Sequence, residues 1–411
     1  MGDEVLTPQG VLAKVRQLAD FLDAPSAQSG ASTNQDKSAR SSNVNRKDYE
    51  TFRDMIGRAS EQLENQSNKV ALGWASLRND DERHAILQAL LQHTELVFTC
   101  TFLMVSSEGL CCAAARDEIV AAAKQVAAAL SLMMELLSNA KTMDADVFAA
   151  EIARKCGAVW DACKGVRMVA KSNRAASKRR VLLAARAVKD THDEFNRMLQ
   201  DSRASSSSSS DTQMGQASDA NQMMEETAGS SADADAPASG PKIGSDEWYA
   251  MMDDLGDESD MDDEDEDRLE RGLALIRTAG MVIQNAAKTI GATAPRQAAA
   301  ASLDSASVSA SASASASASA PASVVRARYV AWLDTVVLAA ALAEKTVTSF
   351  AVNLYPPHDE DRLRTAAALV QAKTQELTQA ITNETPSLDE GAAAHVQALN
   401  DLQASLASLA I

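Results

Sequence analysis

Proline and glycine are scarce, nine and 17 among 411 residues, and aromatics make up only 4%. So few turn formers and so few ring side chains argue against a sheet-rich fold. The apolar fraction is high all the same, and the excess is Ala and Leu, which lose little rotamer freedom in a helix. There is no uninterrupted, uncharged apolar run of about 18 residues, so the expectation is no transmembrane span. The N-terminus opens Met-Gly-Asp-Glu-Val-Leu, acidic where a secretion signal would be basic. Phosphate-cradling Gly loops of the GxGxxG or GxxxxGK[ST] kind are missing, as is a GxSxG nucleophile elbow. The five cysteines, Cys100, Cys111, Cys112, Cys156 and Cys163, form no CxxC pair. Their odd number and apolar surroundings predict buried free thiols that pack as small hydrophobes in a reducing compartment.

One charge sign is missing almost wholly from one stretch. Residues 201–267 hold 20 acids against two bases, Arg203 and Lys242. That segment alone accounts for the net charge of −18, because the rest of the chain holds 37 of each sign. Its last part, Asp246–Asp267, has thirteen carboxylates and neither Lys nor Arg. Carboxylates this dense repel one another, which predicts a largely disordered, solvated segment between two folded halves. Trp248, Tyr249, Met251 and Met252 stand beside the acids as anchors for a basic, apolar groove, followed by Asp262, Asp263, Glu264, Asp265, Glu266 and Asp267. Ser259, with Asp260 and Asp262 after it, has the context of an acidophilic phosphorylation site.

Helical periodicity fills the remainder. Thr7-Pro8 starts a short amphipathic helix with Val11, Val15 and Leu22 inward, and a Ser/Gln/Asn-rich linker follows to about residue 45. Residues 46–200 then carry five long helices, whose starts include the capping residues Asn79 and Asp144. The pattern returns at 268, pauses over a Ser/Ala linker at 291–323, and resumes with the cleanest seam in the chain. Tyr329, Leu333, Val336, Ala340, Ala343, Val347, Phe350 and Leu354 step by four and three, as in a heptad. A capping box, Ser387 to Glu390, opens the last helix. The class is therefore all-α: two antiparallel bundles, about five helices and then four, separated by the acidic segment.

Sites for chemistry are poor. Asp81-x-x-His84 is half of a di-iron carboxylate motif, but the other histidines supply no second half, so it reads as a capped helix start. Asp190, His192, Asp193 and Glu194 spread around one helix and cannot converge on a substrate. The basic cluster Lys171, Arg174, Lys178, Arg179 and Arg180 lacks interleaved aromatics and excess charge in the folded part. It reads as a solvated helix face, a nuclear-localisation signal or an internal partner for the acidic run, rather than a nucleic-acid surface. Trp160 is placed in the core, while Trp332, just off the seam, reads equally as core or contact. Neither cofactor nor metal is implied.

Four stretches resemble the cyclin-D-binding (Grap- and cyclin-D-interacting) protein family. They are Asn45 to Lys69; Cys156 to Asn173 with its Val-Trp-Asp-Ala-Cys core, continuing to Asp190; the acidic run leading into a Leu-rich helix; and Trp332-Leu333-Asp334 through Leu354-Tyr355-Pro356-Pro357. The resemblance implies a two-bundle, non-catalytic protein that binds D-type cyclins and helix-loop-helix transcription factors. It also implies negative regulation of cell-cycle progression or transcription, in cytoplasm and nucleus; the charge balance and hydropathy of the chain add the expectation of no direct nucleic-acid or membrane binding. Two other readings compete with it: a vinculin- or talin-like cytoskeletal adaptor, and an acidic chaperone of basic proteins such as histones.

Overall fold

The computed structural model describes residues 6–28, 46–74, 77, 79–107, 109–209, 263–293, 322–355, 359–384 and 390–408. Among them are ten α-helices and no strand, so the all-α class stands. The helices are α1 (Pro8–Gln28), α2 (Arg46–Gly73), α3 (Asp80–Ser106), α4 (Ala113–Asn139) and α5 (Ala145–Arg167). Then come α6 (Asn173–Ser209), α7 (Asp263–Ala292), α8 (Ala322–Val352), α9 (Glu360–Glu384) and α10 (Glu390–Ser408). The Ser387 side of the last capping box and most of the Ser/Ala linker lie outside the described residues.

Local chemistry sets several starts as the sequence suggests. The Asn79 side chain accepts from the Asp81 backbone N–H at 2.9 Å. Asp144 accepts from Asp146 and Val147 N–H at 2.9 and 3.4 Å. Each bond satisfies a donor that the first helical turn leaves without an intrahelical partner. Cys112, which periodicity would place inside α4, is its N-cap instead, its sulfur accepting from Ala115 N–H at 3.4 Å.

Helices α1 to α5 form the first bundle, with α2 paired to α3 and α5, and α4 to α5 and α1. The core is filled by Leu63, Val97, Val126, Met133, Met134 and Val159, all fully buried. Helix α1 docks here through Val11, Val15 and Leu22, and Arg16 reaches Glu135 of α4 at 2.7 Å.

The second bundle begins earlier in the chain than the charge pattern indicates. Helix α6 packs far more extensively on α7 and α8 than on α4. Helices α6 and α7 are antiparallel along their whole length, since Arg203 bonds Glu266 near one end and Arg174 bonds the Thr293 carbonyl near the other. A boundary at residue 200 therefore cuts the chain without cutting the packing. Helix α7 is the hub, touching α6, α8, α9 and α10, with Leu275, Ile276, Ala279, Val282, Ile283, Ala286 and Ile290 wholly enclosed. Gly272 lets the turn after α8 approach, for a Cβ there would meet Leu354 Cδ2 at 2.7 Å. All eight residues of the predicted seam are buried, seven on α8 and Leu354 in the turn after it.

Three helical stretches, Asp80–Ser106, Ala113–Thr142 and Arg326–Val352, are long and apolar enough to cross a membrane by length and composition. An uncharged-run criterion passes over them because their windows admit one or two charges. Between a third and a half of each window is buried inside these bundles.

The five cysteines are free and buried. Burial pushes Cys111 and Cys163 up to about 12 and Cys156 up to about 11. The thiolate is the reactive form, so at pH 7 none of the native thiols should react with a maleimide until the bundles open. Titration of native and urea-unfolded protein checks this, with five thiols expected only in urea.

Candidate interaction surface

Of the residues singled out in the sequence, Trp248, Tyr249, Met251, Met252, Ser259 and Asp262 lie outside the described residues. Asp263 opens α7, and Glu264, Asp265, Glu266 and Asp267 form its first turns. They belong to a folded helix rather than to a solvated tail. Acids suit this place because the helix dipole puts partial positive charge at its N-terminus. Three of them also meet arginines of this chain. Arg268 bonds Asp265 at 2.9 Å, Glu264, and Glu360 of α9 at 3.1 Å. Arg203 of α6 bonds Glu266 at 3.1 Å and also Glu270. Hydrogen bonds to Glu270 and then Glu266 hold the Arg203 guanidinium above its ordinary range. The acidic turn thus closes one end of the second bundle.

The two bundles meet at a hydrogen-bonded joint. The Asn173 carboxamide at the start of α6 accepts from Cys112 N–H at 2.9 Å and donates to the Leu110 carbonyl at 2.8 Å. Asp334 of α8 accepts from Ala113 N–H at 2.6 Å, adding a second cap to α4 from the other bundle. Gly109, at φ 73°, makes the turn that brings this loop against Ala327. Within the second bundle, beside the joint, Arg174 and Tyr329 both donate to the Thr293 carbonyl.

Burial raises the Asp334 pKa, with the Ala113 hydrogen bond opposing the rise. Protonated Asp334 is therefore favoured by folding. Its contribution is full below the ordinary carboxylate range and is lost as pH rises through the raised pKa. Asp334→Asn keeps an acceptor for Ala113 and removes that dependence. Asp334→Ala leaves the N–H without its acceptor and should cost about 1 kcal/mol. Urea unfolding of both variants at pH 4 and pH 7 measures the difference.

The tryptophans divide differently from expectation. Trp332 is core, 2% exposed, its indole N–H donating to the Ala380 carbonyl at 3.1 Å. Trp160 is 39% exposed, anchored at the α2–α5 seam by a 3.1 Å bond from its N–H to Ser67 Oγ. Amphipathic rings often leave one edge wet while bonding through the polar end.

A surface cleft of about 200 Å³ lies between α6 and α8. Leu183, Ala184, Ala187, Val337 and Ala341 give it an apolar floor, and Arg180 and Glu344 put one charge of each sign at its edge. Leu338, 62% exposed, lies beside it on the outer side of α8. Alanines keep the two helices' surfaces low, which leaves room for a third backbone. Periodicity gives no hint of this cleft, because Ala in a helix reads only as good helix propensity.

Residues 55–201 match the family model described as Grap2 and cyclin-D-interacting, N-terminal. Over that stretch the chain is similar to the Grap2 and cyclin-D-interacting family. The family segment runs from Met55 in α2 to Asp201 in α6, so it spans the first bundle from α2 onward and the α6 wall of the cleft. It contains the whole Cys156–Asn173 stretch, whose Trp160 and Asn173 anchor α5 on α2 and the joint. The Trp332-Leu333-Asp334 stretch lies beyond it. No curated protein matches the chain.

Proposed function

We propose that this chain is a non-enzymatic interaction protein that binds a D-type cyclin or a helix-loop-helix transcription factor. Through that binding it restrains cell-cycle progression or transcription, acting in cytoplasm and nucleus. The observation that supports the reading is the family match over residues 55–201, a cyclin-D-interacting family. The surface we assign to the partner is the α6–α8 cleft. An amphipathic partner helix laid in it would set apolar side chains against Leu183, Val337 and Ala341, with Arg180 and Glu344 fixing its direction. The acidic connection between α6 and α7 would raise the rate of encounter with a basic partner more than the final affinity.

Affinity capture from the native cell tests the reading with two versions of the protein, full-length and with residues 210–262 replaced by a short Gly/Ser linker. The replacement is tolerable because the flanking ends of α6 and α7 already meet through Arg203 and Glu266. Cyclins or helix-loop-helix factors on both versions support the proposal. Actin-linked proteins would point to the cytoskeletal adaptor, and histones captured only by the full-length version to the acidic chaperone.

A further inference from the structure

Helices α6 and α7 form an antiparallel hairpin whose ends are already tied together by Arg203, Glu266 and Glu270. Closing such a hairpin takes about 2–8 residues. The connection has 53, from 210 to 262, with 14 acids and a single base, Lys242. Nearly all of that length is unnecessary for joining the two helices.

The hairpin itself has the opposite charge over most of its length. Residues 173–189 of α6 hold six cations and no acid, and residues 271–292 of α7 hold three cations and no acid. The register follows from the contacts: Lys178 lies by Gly291, Val188 by Gly280 and Arg203 by Glu266. Helical spacing then turns Lys178, Leu182 and Lys189 of α6, and Arg277, Met281 and Lys288 of α7, to the outer side of the pair. All six are exposed, Leu182 by 42% and Met281 by 36%. Among the described residues Lys178, Arg277 and Lys288 have no ion-pair partner, while Lys189 is paired with Asp193. The result is two exposed apolar side chains within a ring of cations, on the face opposite the cleft.

We infer that this basic face is occupied by the chain's own connection, through the stretch Asp246–Asp254. That stretch has the complementary pattern: Trp248, Tyr249, Met251 and Met252 between Asp246-Glu247 and Asp253-Asp254. Met252 is 11 residues from the start of α7, a reach of up to about 36 Å when extended. Met281 is 18 residues along α7, about 27 Å away. The stretch can therefore lie on Leu182 and Met281 without unwinding either helix. The aromatic and Met side chains cover the apolar centre, and the flanking carboxylates meet Lys178, Lys288 and Arg277. With 14 acids against so few cations, most of the negative charge stays available for steering a partner. This docking stands independently of which partner the cleft takes.

Zero-length carbodiimide coupling on monomeric full-length protein reads the contact directly. Carboxylates between Asp246 and Asp262 should link to Lys178, Lys189 and Lys288 several-fold more than to the exposed Lys14, Lys69 and Lys164 of the first bundle. Raising the salt to suppress ion pairing should lower the yield. Replacing Trp248, Met251 and Met252 by serine leaves every bundle contact in place and should also reduce those links several-fold. Links spread evenly over all exposed lysines overturn the inference. So do links unaffected by the serine variant, or links found only between two copies of the chain.

Discussion

Trp332→Ala should destabilise the second bundle by about 3–5 kcal/mol, the range for emptying a fully packed aromatic site. The indole is enclosed in the α8–α9 interface, 5.7 Å centroid to centroid from Tyr329, and its N–H is satisfied by the Ala380 carbonyl. Alanine removes the packing and also the indole hydrogen bond to that carbonyl. Trp332→Phe separates the two effects, because it keeps much of the apolar volume and loses the hydrogen bond, worth about 1 kcal/mol. Urea unfolding followed by circular dichroism should show a large shift for alanine and a smaller one for phenylalanine. Equal shifts would mean that the hydrogen bond dominates, and a shift below 1 kcal/mol for alanine would contradict the packing described.

The second large effect concerns binding. Ala187→Arg puts a long cation into the floor of the α6–α8 cleft, where the wild-type residue leaves space. A partner helix seated there loses apolar contact and meets an unpaired charge, so its affinity should fall at least tenfold, about 1.4 kcal/mol or more. The side chain can point out to solvent in the free protein, so thermal stability should change little. Leu183→Ala, which truncates an exposed apolar residue of the same cleft, should weaken binding in the same direction by a smaller factor. Binding unchanged by both would move the partner to another face.

These expectations rest on features of unequal visibility in the sequence. The seam from Tyr329 to Leu354 is legible because one face of a helix must be apolar at fixed spacing wherever it packs. The caps at Asn79 and Asp144 are legible because the orphan donors of a helix start admit few side chains. The partner of α6 is not legible. An amphipathic helix shows that it has a face to bury, and the residues that cover that face come from 60 or more positions later, as Arg203 and Glu266 do. The start of α7 is hidden by its charge, since the same carboxylates suit a solvated tail or a helix N-terminus, and only Arg203 and Arg268 decide between them. Trp160 is misplaced for a related reason: a ring that packs with one edge and bonds with its N–H still leaves much of its surface in water. The cleft is the least visible feature, because alanine marks an absence of side chain and its meaning appears only when two helices lie side by side.

Isothermal titration of purified full-length protein with a D-type cyclin, for the wild type and Ala187→Arg, is the decisive measurement of partner binding in the cleft. Binding by the wild type should be saturable and should weaken at least tenfold in the variant, with both proteins equally folded. Wild-type protein that gives no binding heat across a range of temperatures, with a helix-loop-helix factor equally silent, would contradict that expectation.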